Sequence, residues 1–132
     1  MSSSKLYFVL LLLINISLIV NVQSSRVQSR LEDCSIGVYQ VDKPKPLPDG
    51  TPVFLVEINN QCDWKCKISH IHINCGNFSS LTPVDPHIFR RLSYDNCLVN
   101  DGKPLAYGAS LTFTYASRIR YSLPVSQATC PH

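Results

Sequence analysis

The sequence predicts an all-β fold, a small antiparallel, β-sandwich-like domain closed by three disulfides. Three observations carry that expectation. Short runs rich in β-branched and aromatic residues alternate apolar with polar side chains, nine prolines and repeated Gly, Asn and Asp signals separate them, and no segment sustains a helical stripe. Alternation of this kind belongs to sheets with one wet and one dry face, because a parallel sheet covered on both sides reads as continuous apolar runs. Two such sheets bury their dry faces against each other.

The chain opens on an almost wholly apolar run over residues 6–20, preceded by Lys5 and broken chiefly by Asn15 and Ser17. It is shorter than the roughly 20 residues a spanning helix needs. Val22 and Ser24 fit the small-residue pattern at minus three and minus one of a cleavage site. Residues 1–24 therefore read as a signal peptide, residues 25–33 as a flexible N-terminal tail, and residues 34–132 as one disulfide-stabilised β-domain. The expected destination is the extracellular space or apoplast, with no membrane insertion after the signal is cleaved.

The first strand falls around Ile36, Val38 and Gln40, which alternate with Gly37, Tyr39 and Val41. Residues 43–52 hold four prolines and Asp49-Gly50 and read as a connection. Residues 53–59 follow as a strand with Phe54, Val56 and Ile58 on the core side. A turn around Cys62 and Trp64 leads to residues 68–75, where Ile71, Ile73 and Cys75 oppose His70, His72 and Asn74. Residues 76–86 are loop, and residues 88–94 carry Ile88, Arg90, Leu92 and Tyr94 at strand spacing. Asn100-Asp101-Gly102 reads as a hairpin turn, and Pro104 and Gly108 bracket a further bend. Residues 110–115 place Leu111, Phe113 and Tyr115 on one side. Ile119, Tyr121, Leu123 and Val125 continue at period two, with Pro124 confining that stretch to a sheet edge. The predicted core includes Phe54, Val56, Ile58, Leu111 and Phe113.

Removing 24 of 132 residues leaves 108, enough for one domain with a modest core. All six cysteines, Cys34, Cys62, Cys66, Cys75, Cys97 and Cys130, lie in that part. An oxidising compartment converts them to three disulfides in one of fifteen pairings, which sequence does not rank. Each bridge stabilises by roughly 2–4 kcal/mol, against a typical domain total of about 5–15 kcal/mol. Without Lys5 the exported part carries eleven basic and nine acidic side chains, a net +2. So mild a charge does not mark a nucleic-acid binder, which needs a concentrated basic stripe. Arg118 and Arg120, two residues apart, would share one strand face as a small positive patch.

Reactive chemistry finds little support. Cys62, Cys66 and Cys75 with His70 and His72 have a metal-like spacing, but export commits those sulfurs to bridges, and the histidine pair reads as a sheet surface. Paired cysteines supply no thiolate nucleophile. Asp85 and Asp101 sit in turn contexts, Asp95 caps a bend before Asn96 and Cys97, and no phosphate loop or nucleophile elbow is present. The reading is therefore no enzyme, no cofactor and no metal. Asn77-Phe78-Ser79 is an acceptor sequon in a predicted loop, which makes Asn77 a candidate for glycosylation. Trp64, Tyr94, Tyr107, Tyr115 and Tyr121 supply aromatic surface for core or recognition. Aromatic and arginine side chains favour interface centres, so Trp64, Arg90, Arg91, Tyr94, Arg118 and Arg120 are the candidate partner-binding residues.

The segments Val56-Glu57-Ile58 with Cys62, Ile71-His72 with Cys75-Gly76, and Phe78-Ser79-Ser80 resemble the plant tapetum-determinant-like small secreted cysteine-rich proteins. The run from Tyr94 through Asp95, Asn96, Cys97, Leu98, Val99, Asn100, Asp101, Gly102, Lys103 and Pro104 to Leu105 is the most specific part of that likeness. Phe113, Tyr115-Ala116, Tyr121, Leu123, Val125 and Cys130 extend it. The resemblance implies a secreted signalling ligand that binds the ectodomain of a leucine-rich-repeat receptor kinase, in anther or reproductive cell fate. It assigns no contact residue. A polysaccharide-binding module using tryptophan and tyrosine stacking is the alternative, and an inhibitor presenting a rigid loop to an extracellular enzyme is a third.

Overall fold

The structure, a computed structural model, describes residues 3–14, 35–62 and 66–131. The chain divides into two compact units, residues 1–33 and 34–132. In the first unit, residues 3–14 are helical and expose the large apolar side chains of residues 6–14. No helix among the described residues is long and apolar enough to cross a membrane. The expected cleavage site after Ser24, the tail over residues 25–33, Cys34 and Trp64 lie outside the described residues.

The second unit is built of β1 (Ile36–Asp42), β2 (Val53–Asn60), β3 (Ser69–Ile73), β4 (Phe89–Ser93), β5 (Asn96–Val99), a 3-10 turn (Asn100–Gly102), β6 (Ser110–Ala116) and β7 (Val125–Thr129). These strands make two antiparallel sheets, ordered β1-β2-β6 and β4-β5-β3-β7. Period-two patterning sets the register of the first sheet. Val56 of β2 lies between Gln40 of β1 and Phe113 of β6, and Phe54 sits opposite Tyr115. A one-residue slip would drive Phe54, Val56 and Ile58 to the wet face, so the pattern fixes the pairing.

Apolar side chains of both sheets join in one core: Phe54, Val56, Ile58, Phe113 and Tyr115 from the first, Ile71, Ile73, Phe89, Cys97 and Val99 from the second. Phe89 stacks on Phe113 with centroids 4.7 Å apart, a direct contact between the sheets. Tyr115 is fully buried, yet its hydroxyl donates to Gln40 Oε1 at 2.7 Å and accepts from the Tyr121 backbone N–H at 3.2 Å. Burial pushes the Tyr115 hydroxyl up from its ordinary pKa, and the same two bonds remove most of the cost of placing a polar atom there.

Two pairings among the six cysteines are described. Cys75–Cys97 joins the end of β3 to β5, and Cys66–Cys130 ties the segment before β3 to the residue after β7. Closing loops of 22 and 64 residues restricts the unfolded chain by about 3 and about 4 kcal/mol, respectively. Cys62 is disulfide-bonded as well. Beside it, buried Asn60 donates through Nδ2 to the carbonyls of Cys66 (2.6 Å) and Leu105 (2.9 Å) and accepts the Cys62 N–H at Oδ1 (2.9 Å). One side chain thus organises the chain around these two cysteines.

Three expectations need correction. Asn100-Asp101-Gly102 does not close a hairpin: the hairpin turn is Tyr94-Asp95, between β4 and β5. The Asn-Asp-Gly turn instead ends β5 and leads to Leu105, which pairs antiparallel with Ile68 just before β3. Sequence reading did not mark β5 as a strand, because Cys97, Leu98 and Val99 are all buried and a central strand covered on both faces shows no alternation. Residues 117–124 belong to no strand, and β7 begins only after Pro124, at a sheet edge as its proline requires. Within residues 88–94 a strand does form, over Phe89–Ser93, but Phe89 points inward while Leu92, and Tyr94 in the turn beyond it, are exposed.

Candidate interaction surface

Residues 76–82 contain no regular element, yet they are held at almost every step. The Gly76 N–H donates to Asp95 Oδ1 at 2.7 Å. Arg91 donates from Nη1 to the Gly76 carbonyl at 2.9 Å and from Nη2 to the Phe78 carbonyl at 2.7 Å. At the far end the Leu81 N–H donates to the Ala116 carbonyl at 2.9 Å, and the Ala116 N–H returns a 3.0 Å bond to Ser80 Oγ. Phe78 is the anchor. Its ring lies 5.1 Å from Phe89, 5.1 Å from Tyr115 and 5.2 Å from Tyr121, with edge-to-face or tilted geometry that aromatic quadrupoles favour. With Phe78 drawn inward, Asn77, Ser79 and Leu81 are left exposed on the outside of the loop.

The β4–β5 hairpin supplies the other half of this clamp. Ser93 pairs with Asn96, so Tyr94 and Asp95 form the turn. Asp95 takes a left-handed φ of 58°, a conformation aspartate tolerates better than most residues, and its carboxylate then faces Gly76. Between Arg91 and Ser93 the register shifts, with two steps on β4 against one on β5. That bulge leaves Leu92 exposed, and Tyr94 at the tip is 74 % exposed.

On the flank, Asp101 gathers His87 and Arg90. His87 Nδ1 lies 2.8 Å from Asp101 Oδ2, and Arg90 donates to Asp101 Oδ1. The hydrogen bond with His87, then that from Arg90, holds the Asp101 carboxyl below its ordinary value. This group fastens the turn after β5 to the loop before β4.

The candidate partner-binding arginines therefore differ in role. Arg90 and Arg91 bond to the chain's own carboxylate and carbonyls. Arg120 pairs with Asp42 at 2.7 Å and lies over the Phe54 ring. Arg118 is exposed and makes no hydrogen bond or ion pair among the described residues. Because residues 117–124 are not a strand, the expected two-residue spacing does not define a shared strand face for Arg118 and Arg120. Tyr94 is open at the hairpin tip, Tyr107 is half exposed in a separate turn, and Tyr115 and Tyr121 belong to the core cluster. Trp64 lies outside the described residues.

His70 and His72 lie on β3 with partners of their own. His70 Nδ1 is 3.0 Å from Ser69 Oγ, and His72 Nδ1 is 2.8 Å from Asn96 Oδ1. The described residues contain no group of three or more His, Cys, Asp or Glu with metal-holding geometry. Sequence reading missed Phe78, Leu81 and the roles of Arg91 and Asp95. For Phe78 the signal is the sequon itself, whose central residue is a bulky aromatic in an otherwise polar loop; the other three carry none.

The profile described as Tapetum determinant 1, C-terminal, matches residues 32–131. The chain belongs to the tapetum determinant 1 family. The match covers the disulfide-stapled β-domain, including loop 76–82 and the β4–β5 hairpin. Within the family, the chain is 49 % identical over 102 residues to TPD1 protein homolog 1 of Arabidopsis thaliana, covering 75 % of this chain and 56 % of that protein. It is 46 % identical over 101 residues to TPD1 protein homolog 1A of Oryza sativa subsp. japonica, covering 72 % and 44 %. TPD1 protein homolog 1B of the same rice is 36 % identical over 102 residues, covering 75 % and 59 %. The chain thus spans about half the length of these relatives. None of their names states an enzyme activity. No solved structure is significantly similar to the chain.

Proposed function

We propose that this tapetum-determinant-family chain is a secreted, non-enzymatic signalling ligand that binds the ectodomain of a plant leucine-rich-repeat receptor kinase, in anther or reproductive cell fate. The observation that carries this reading is the family match over residues 32–131, which spans the whole β-domain. The receptor class and the developmental setting rest on what that family resemblance implies. The physical features support it. Described disulfides suit an oxidising extracellular compartment, and the apolar run at the start suits a cleaved signal. The body is sandwich-like and closed by three disulfides, a reading supported by two described bridges, Cys66–Cys130 and Cys75–Cys97, and by a disulfide-bonded Cys62.

Rigid loops lower the cost of association, because less conformational entropy is lost when the partner is engaged. The surface in use is the one around loop 76–82: Tyr94 at the hairpin tip makes contact, and Arg90 and Arg91 position the loops from behind. Asn77 carries an N-linked glycan on the outside of the same loop. The test is a pull-down of purified leucine-rich-repeat receptor kinase ectodomains by the exported chain, repeated with Tyr94→Ala. Retention of at least one ectodomain, weakened roughly tenfold or more by Tyr94→Ala, is the expected result for an exposed aromatic anchor. Retention of none sinks the proposal.

A further inference from the structure

The two ends of loop 76–82 differ in what they leave unsatisfied. The hairpin end is closed by Asp95 and Arg91. The other end borders a shallow cleft of about 200 Å³ lined by Ser79, Leu81, Ala116, Ser117, Arg118 and Tyr121. Leu81 is 66 % exposed at its rim, and the next residue after Arg118, Ile119, is 59 % exposed. Leu81 and Arg118 together give the cleft wall an apolar contact and a charged one.

Arg118 is the decisive group. Arg90, Arg91 and Arg120 each spend their guanidinium on an internal carboxylate or carbonyl, whereas Arg118 donates to nothing among the described residues. Asp49 does feel the Arg118 charge, but the Thr51 N–H holds the Asp49 carboxyl first and foremost, and no ion pair joins Asp49 to Arg118. A guanidinium offers five donors in a flat fork that fits a carboxylate with two parallel bonds.

We propose that this cleft receives an acidic side chain, flanked by an apolar one, from the surface of a partner protein. Arg118 takes the carboxylate, and Leu81 covers the neighbouring apolar group. The inference deepens the proposed function, since it rests on the chain acting through a protein partner and names the part of that partner which seats here. The chemistry of the occupant follows from the unpaired positive charge and the apolar rim together. A carboxylate alone would leave Leu81 wet, and an apolar group alone would leave Arg118 unpaired.

The test uses the exported chain as bait for a phage-displayed random peptide library, followed by Arg118→Glu, Arg118→Lys and Leu81→Asp variants against the selected peptides. Arg118 makes no internal bond, so R118E should melt at the wild-type temperature, which separates lost binding from lost folding. Selected peptides should carry Asp or Glu beside Leu, Ile or Phe. They should bind R118E at least about tenfold more weakly, and R118K should fall between, because an ammonium lacks the planar fork. Peptides without carboxylates, an empty selection, or equal binding to R118E would overturn the inference. Applied to a receptor ectodomain that binds wild type, undiminished binding by R118E rejects this cleft and leaves the proposed function standing. If no ectodomain binds, the proposed function fails and the peptide selection still decides the cleft.

Discussion

The β2–β6 pair and the 76–99 region show two different ways of holding a chain in place. In β2 and β6 order is repetitive: every second residue is apolar, seven cross-strand pairs share one register, and no single contact is indispensable. Across loop 76–82 and the β4–β5 hairpin order is particular. One ring, one guanidinium, one carboxylate and one disulfide fix the path, and each fills a role that no neighbour duplicates. Repetition gives a sheet that tolerates change and carries little information. Particular contacts give a surface whose shape is specific, which is what recognition needs.

That contrast predicts unequal sensitivity to substitution. The largest effect should come from Phe78→Ala, which removes a ring packed against Phe89, Tyr115 and Tyr121 and should cost about 3–5 kcal/mol. Denaturant unfolding should place it above Val56→Ala in β2, a fully buried strand residue, although Phe78 lies in a loop. A cost under about 1 kcal/mol would mean that the loop is not anchored by its ring.

Replacing Cys75 and Cys97 together by serine should lower stability by about 3 kcal/mol, the entropy of a loop of that size. The accompanying change should be local. Amide exchange should rise most around residues 76–82 and β5, and least in β2. If β2 loosens equally, the two regions form one cooperative unit and the contrast drawn above fails.

Much of this fold was legible in the sequence, and the illegible parts have physical causes. β1, β2, β3 and β6 have one dry face, so alternation reports them. β5 is central and short, and with Cys97, Leu98 and Val99 all buried it shows no alternation. His70 adopts a left-handed φ of 51° inside β3 and shifts its register there, a local break that period counting passes over. The candidate surface was half visible. Arg90, Arg91 and Tyr94 stood out as residue types, but their division into structural and open groups depends on carbonyls brought from loop 76–82. Leu81 carried no signal, because a lone leucine in a polar loop is ordinary until its exposure is known.

A smaller effect isolates the clamp. Asp95→Ala leaves the Gly76 N–H without its acceptor and should cost about 1–2 kcal/mol, with faster exchange confined to the Gly76 end of the loop. Thermal melting with site-resolved exchange would check it, and an unchanged loop would show that Arg91 and Phe78 suffice.

The smallest effect is on pH dependence. Asp101 has its folded-state carboxyl below the ordinary 3.8, so its contribution is present above that value and lost as pH falls through the lowered one. Asp101→Asn should therefore remove a small contribution that is present at neutral pH and gone in strong acid, so the variant should melt slightly lower than the wild type on the neutral plateau and converge with it below about pH 4, the effect kept small by the partly exposed site. Melting temperatures across a pH series would show this, and a difference that appears only in acid, or that persists undiminished there, would contradict it.

Amide hydrogen exchange on the intact, oxidised protein measures the loop's rigidity at the atoms that create it. Gly76, Phe78 and Leu81, whose N–H groups bond to Asp95, Cys75 and Ala116, should exchange within an order of magnitude of the β2 amides. Exchange at the rate of an unstructured segment would show that the loop is free before any partner arrives, and that its shape is acquired on binding rather than built into the fold.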